Sequence, residues 1–127
     1  MTRDPEGAPS LRGGWAEDLA RRFLQQQGLT PLKQNYRCRL GEIDLIMRHQ
    51  ATIVFVEVRY RSRADFGGGI ESVDKRKRRK LIAAAQYFLG SHSGASSAPC
   101  RFDVVAVSGF GSSPSLSWIP NAFEAFW

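Results

Sequence analysis

At 127 residues, with 43% hydrophobic and 24% charged residues, the chain has the make-up of one ordinary soluble globular domain with a real core. No apolar run nears the roughly 18 residues needed to span a membrane, and the amino end lacks the basic-then-apolar order of a signal peptide. A cytoplasmic protein without membrane association is therefore expected. The net charge of +6 and the pI near 9.9 favour a polyanionic partner. Cys38 and Cys100, without metal-type spacing, read as free cytosolic thiols.

Met1 to Gly13 is rich in Pro, Gly, Ser and charge and reads as a disordered tail, leaving residues 14–127 as a single domain. From Gly14 to Gln27, Trp15/Ala16, Leu19/Ala20 and Phe23/Leu24 recur at helical spacing, and Gly28 supplies a stop. Glu17 lies one residue off that stripe, where a solvated acid favoured by the helix dipole is the simplest reading. Thr30 to Arg39 predicts a partly exposed strand. Its Arg37 and Arg39 are more simply solvated than bound to phosphate.

Gly41 to Arg61, GEIDLIMRHQATIVFVEVRYR, predicts a hairpin of two β-type runs, Glu42–Arg48 and Thr52–Arg61. A turn centred on Gln50-Ala51 makes facing positions sum to 101, so Asp44 opposes Glu57 and Glu42 opposes Arg59. Alternation places Glu42, Asp44, Ile53, Phe55, Glu57 and Arg59 on one face, with Ile43, Leu45, Met47, Val54, Val56 and Val58 on the other. Two acids opposed in a core hairpin are costly without compensation, and a divalent cation is the simplest one. An Arg59–Glu42 cross-strand ion pair is the structural alternative for Arg59.

Ser62 to Glu71, with Gly67-Gly68-Gly69, reads as a mobile loop and matches no phosphate-binding fingerprint. Val73 to Leu89 predicts the second helix, with Leu81, Ile82, Ala85, Phe88 and Leu89 inward and Gly90 as its stop. Asp74 suits its amino-terminal dipole. The run Lys75-Arg76-Lys77-Arg78-Arg79-Lys80 holds six of the eighteen basic residues, and it wraps the first turns rather than forming one face. Gly90 to Pro99 reads as a flexible connection. Arg101 to Ser108 predicts a buried parallel strand joined to the hairpin by a right-handed crossover, with Asp103 paired to a base such as Arg101. Leu116 to Ile119 can add an edge strand stopped by Pro120. The aromatic tail Phe123, Phe126, Trp127 packs on the body or forms an oligomer contact, with a homodimer as the partner state considered.

Asp44 followed by Glu57-Val58-Arg59 resembles the D…(E)xK signature of the restriction-endonuclease-like nucleases. The strings GEIDLI, VFVEV and RFDVV resemble the YraN-like family of predicted endonucleases, from about Gly14 to about Ile119. The fold implied is α/β, an α-β-β-β-α-β core with a mixed sheet flanked by helices, related to that of archaeal Holliday-junction resolvases. Periodicity gives the same element order separately. The resemblance also implies that Glu17 reaches the metal site from the first helix, and it makes Gln86 a weaker addition from the second. One departure stands out: the signature Lys is Arg59 here.

Phosphodiester hydrolysis needs an activated water and charge neutralisation on phosphate. Mg²⁺ or Mn²⁺ held by Asp44 and Glu57, with Glu17 extending the set, can supply both. Arg59 can stabilise phosphate charge but cannot act as a base, and Arg61 can share that task. Arg61, Lys75, Arg76, Arg78 and Arg79 are the candidate contacts to nucleic acid, with DNA, branched forms included, as the expected substrate. A binding module with weakened catalysis and a scaffold whose basic helix takes an acidic partner are the alternatives.

Overall fold

The computed structural model describes residues 9–61, 73–92, 97–109 and 114–124, with side chains except those of residues 9–13 and 61. Its elements run α1 (Pro9–Gln26), β1 (Thr30–Cys38), β2 (Gly41–His49), β3 (Thr52–Arg61), α2 (Lys75–Ser91), β4 (Cys100–Ser108) and β5 (Ser115–Phe123). The five strands form one mixed sheet in sequence order. Only β3 and β4 are parallel, because α2 carries the chain across between them. The predicted α/β architecture of a helix, three strands, a helix and further strands is the one observed.

The two helices cover opposite faces. Ala16, Ala20 and Leu24 of α1 pack on Leu45, Met47, Val54, Val56, Val105 and Val107. Leu81, Ala84, Ala85 and Phe88 of α2 pack on Ile46, Ile53, Phe55, Phe102 and Val104. Strands apolar on both faces follow from that double cover.

The β2–β3 register is the one the turn predicts, from His49↔Thr52 to Leu45↔Val56. Gln50 takes a positive φ of 58° so that two residues suffice for the turn. Alternation fails at one place. Ile43 packs with Ile46 on the α2 face, three residues away, whereas Leu45 faces α1. Across from that break, Gln34 bonds Asp18 of α1 while Tyr36 stacks edge-on against Phe88 of α2. Between them Asn35 adopts φ 56°, and no pairing joins it to Asp44. A paired irregularity thus shifts the phase of both strands, and it corrects the expected placing of Ile43 beside Leu45 and Met47.

Other boundaries move. Helix α1 begins at Pro9 rather than Gly14, while the rest of the expected tail lies outside the described residues. Gly28, at φ 99°, ends it as expected, with Leu29 N bonding Leu24 O at 3.0 Å. Gly90 does not end α2, which runs on to Ser91 with His92 at its cap. Strand β5 continues through Pro120, tolerated on an edge strand. Phe123 then stacks on Phe102 at 4.9 Å and belongs to the core; Phe126 and Trp127 lie outside the described residues.

Candidate functional site

The ladder between β2 and β3 stops at Leu45↔Val56, and beyond it the strands are joined by side chains. Asp44 Oδ2 accepts a 2.8 Å hydrogen bond from Val58 N, replacing the strand partner that this N–H would otherwise have. The Asp44 carboxyl lies within hydrogen-bonding reach of Glu57 on β3 and of Glu17 on α1. The predicted meeting of Asp44 with Glu57 is thus made by side chains rather than by a continued ladder. Glu42 is exposed, and its charge adds to the crowding felt by Glu17.

Glu57 is buried, with 4% of its surface exposed, and its Oε2 receives two cations. Arg59 Nη1 donates to it at 2.9 Å and Lys77 Nζ lies at 3.5 Å. Arg59 therefore turns along its own strand to Glu57, not across the hairpin to Glu42. On Glu17, Oε1 is buried without a hydrogen-bond partner among the described residues.

This crowding is expressed in acidity. Burial, then the Asp44 charge, pushes the Glu57 carboxyl up to about 7, against the pull of Lys77 and Arg59. Burial also raises Asp44 to about 6, opposed by the Val58 N–H and reinforced by the Glu17 charge. Glu17 is raised too, again first by burial. Among the described residues no three acid, histidine or cysteine side chains are arranged to hold one metal ion. What the fold presents is the Asp44–Glu57 pair, with Glu17 pressed against Asp44.

The basic run is divided by the docking of α2. Asp74 caps the helix, its Oδ1 accepting from Lys77 N at 2.9 Å. Lys77 reaches Glu57, although its position in the run gave no reason to prefer it. Arg78 turns away from Glu57: its Nε donates to Val73 O at 2.8 Å and its guanidinium lies 5.2 Å from the Phe123 ring centre. Lys75, Arg76, Arg79 and Lys80 are exposed, as is Gln86. The side chain of Arg61 and the loop with Gly67-Gly68-Gly69 lie outside the described residues.

A second buried acid has a different setting. Asp103, on the α1 face of β4, is bonded by Arg101 Nε at 3.0 Å, Arg101 Nη2 at 3.2 Å, Trp118 Nε1 at 2.9 Å and Asn121 N at 2.9 Å. It faces three unpaired residues, Pro120 to Ala122, where the β4–β5 register shifts. The predicted pairing with Arg101 is present, and β5 adds two donors that the sequence did not reveal, Trp118 from its paired part and Asn121 from the bulge. His49 Nδ1 lies 3.5 Å from Arg101 Nη1, and is thus at this second cluster.

Residues 16–107 match the family described as "Uncharacterised protein family UPF0102". The chain belongs to that family. It is 52% identical over 121 residues to a UPF0102 protein of Pseudomonas fluorescens Pf-5, covering 94% of this chain and 98% of that one. A UPF0102 protein of Stutzerimonas stutzeri A1501 is 52% identical over 113 residues, 89% of this chain and 94% of its own length. A third, from Pseudomonas entomophila, is 50% identical over 121 residues. Membership in UPF0102 bears out the YraN-like resemblance. The UPF0102 match contains Glu17, Asp44, Glu57, Arg59 and the whole basic run, and it ends before β5 begins. No helix among the described residues of this UPF0102 chain is long and apolar enough to cross a membrane.

Chemically, the UPF0102 site offers carboxylate oxygens and two cations. An all-oxygen donor set suits a small hard ion such as Mg²⁺ or Mn²⁺ rather than zinc. Mg²⁺ commonly takes one or two carboxylates and leaves its other positions to water and phosphate, which the Asp44–Glu57 pair matches. The buried Glu17 Oε1 and the raised pKa values of the three carboxyls describe negative charge that the surrounding protein only partly compensates. The residues present therefore fit such an ion.

Proposed function

We propose that the chain is a metal-dependent nuclease that hydrolyses phosphodiester bonds in nucleic acid, with DNA as the first candidate. The observation that carries this reading is the juxtaposition of Asp44 and Glu57 at the open end of the β2–β3 hairpin, beside two cations and the basic start of α2. The resemblance to the restriction-endonuclease-like signature agrees with it. Asp44 and Glu57 would hold Mg²⁺ or Mn²⁺, with Glu17 as the neighbouring carboxylate. Such an ion supplies Lewis acidity at phosphate and eases deprotonation of water. Arg59 would offset charge building on the phosphoryl oxygens, and exposed Lys75, Arg76 and Arg79 would contact flanking phosphates.

One observation favours a second reading, a nucleic-acid-binding module with weakened catalysis. Arg59 replaces the signature Lys, and its guanidinium is engaged by Glu57. Guanidinium stays protonated and cannot activate water.

Purified protein with Mg²⁺ or Mn²⁺ should cleave at least one of a panel of linear, flapped and four-way DNA substrates. Asp44→Asn and Glu57→Gln should each abolish both cleavage and the rise in melting temperature that Mn²⁺ causes. Binding to these substrates without cleavage would establish the second reading. Identical Mn²⁺ binding by wild type and both variants would remove the metal site.

A further inference from the structure

The strand lacks its signature lysine, yet an ammonium is present at the same carboxylate. We propose that Lys77, delivered by α2, is the second working cation of the acidic site, competing with a divalent ion for Glu57 and contacting the scissile phosphate once Glu57 is taken. This deepens the nuclease reading and rests on it for the phosphate contact.

Three observations place Lys77 there. Its Nζ lies 3.5 Å from Glu57 Oε2, the oxygen that also takes Arg59, and its side chain stays 39% exposed. The ammonium thus touches the buried acid from the solvent side, where a substrate would arrive. Second, α2 is fixed closely enough to aim it. The Cβ that any other residue would add at Gly41 meets Lys80 O at 2.9 Å, so the start of β2 and the backbone of α2 touch directly. Lys77 sits about one turn before that contact, with its own N–H tied to the Asp74 cap. Third, the first turn of α2 contains no acid and carries Lys75, Arg76 and Lys77 where the helix dipole disfavours cations. A local rule broken at the mouth of an acid cluster is expected where function requires it.

The role needs no titration of Lys77. In the hydrolysis, water adds to phosphorus, the bond to the leaving oxygen breaks, and one proton of that water ends on the leaving oxygen. Lys77 stays an ammonium throughout and offsets charge on the phosphoryl oxygens. In metal-free protein the same ammonium shares Glu57 Oε2 with Arg59. A divalent ion held by Glu57 would compete with that contact, and the Lys77 ammonium would then be free to meet a substrate phosphate from the same side.

The test compares wild type, Lys77→Met, Lys77→Met/Arg59→Lys and, as a control for net charge, Lys33→Met on the exposed face of β1. Calorimetry with Mn²⁺ alone, without nucleic acid, should show severalfold tighter binding to Lys77→Met and no change for Lys33→Met. Unchanged affinity in Lys77→Met overturns the competition. Single-turnover cleavage at saturating Mn²⁺ should fall about a hundredfold in Lys77→Met. Restoring a strand ammonium in Lys77→Met/Arg59→Lys should recover at least about tenfold of it, since a compact ammonium, and not its place on the helix, is what the phosphate needs. Wild-type cleavage by Lys77→Met, or no recovery in the double variant, overturns the phosphate contact and leaves the nuclease reading intact. Failure of wild type to cleave anything removes the nuclease reading and the phosphate contact together, while the Mn²⁺ affinities still decide the competition. Circular dichroism melts of each variant in chelator confirm that the domain is folded before either readout is taken.

Discussion

Among the described residues, Glu57 on β3 and Asp103 on β4 are the two charged side chains that the core takes in almost completely, and the protein treats them in opposite ways. Asp103 is surrounded by donors: one guanidinium, an indole N–H and a backbone N–H, each within 3.2 Å. Its neighbours carry no competing acid, and it closes a bulge in β5. Glu57 receives Arg59 and Lys77 on a single oxygen and faces Asp44, behind which stands Glu17. Three carboxyls share two cations there. Burial alone is therefore a poor guide to function. What separates the two sites is whether the fold supplies the donors that a buried carboxylate requires.

The largest effect should come from emptying the saturated site. Asp103→Ala strands Arg101 and the N–H groups of Trp118 and Asn121, and should cost roughly 3–5 kcal/mol in urea unfolding. Asp44→Asn keeps an oxygen for Val58 N–H and relieves like-charge crowding, so its stability should stay within about 1 kcal/mol of wild type or rise. Comparable losses in both would break the distinction.

An intermediate effect should follow pH. Asp44 is raised from 3.8 to about 6 and Glu57 from 4.5 to about 7. Folding therefore favours their protonated forms. The stability they contribute is complete below the unfolded values near 4 and is lost as pH climbs through 6 to 7. For Glu57 alone the shift corresponds to roughly 3 kcal/mol. Unfolding measured in chelator from about pH 4 to about pH 8 should show that decline, with a smaller one in Glu57→Gln. Saturating Mn²⁺ should oppose it, because the ion stabilises the ionised pair. A decline of equal size in Glu57→Gln would mean the shift belongs elsewhere.

The smallest effect sharpens the division within the basic run. If Lys75, Arg76 and Arg79 each contact a duplex phosphate, log affinity should fall against log salt with a slope of roughly −2.7. Neutralising those three should flatten it. Arg78→Gln should change the slope much less, since that guanidinium is already occupied by Val73 O and Phe123. A salt-independent affinity would favour an acidic protein partner instead.

Local pattern made much of the molecule legible. Period-two alternation and the Gln50-Ala51 break determined the hairpin and its register, because side-chain alternation and turn length act over a few residues. Gly28 ended the first helix, and Arg101 found Asp103 two residues away on the same strand face. The meeting of Asp44 and Glu57 could be counted from the turn. Tertiary structure alone decided the rest. Ile43 changed face because Asn35 and Asp44 break phase together across β1 and β2, and neither strand shows that by itself. Strand β5 passed Pro120 because a bulge opposite Asp103 removes the need for its missing N–H. Six consecutive basic residues gave no preferred direction, since a helix places them all around its axis. Which of them meets Glu57 depends on where α2 touches the sheet. That was set by Gly41, whose missing side chain lets the backbone at Lys80 come close enough to bring Lys77 to the acids.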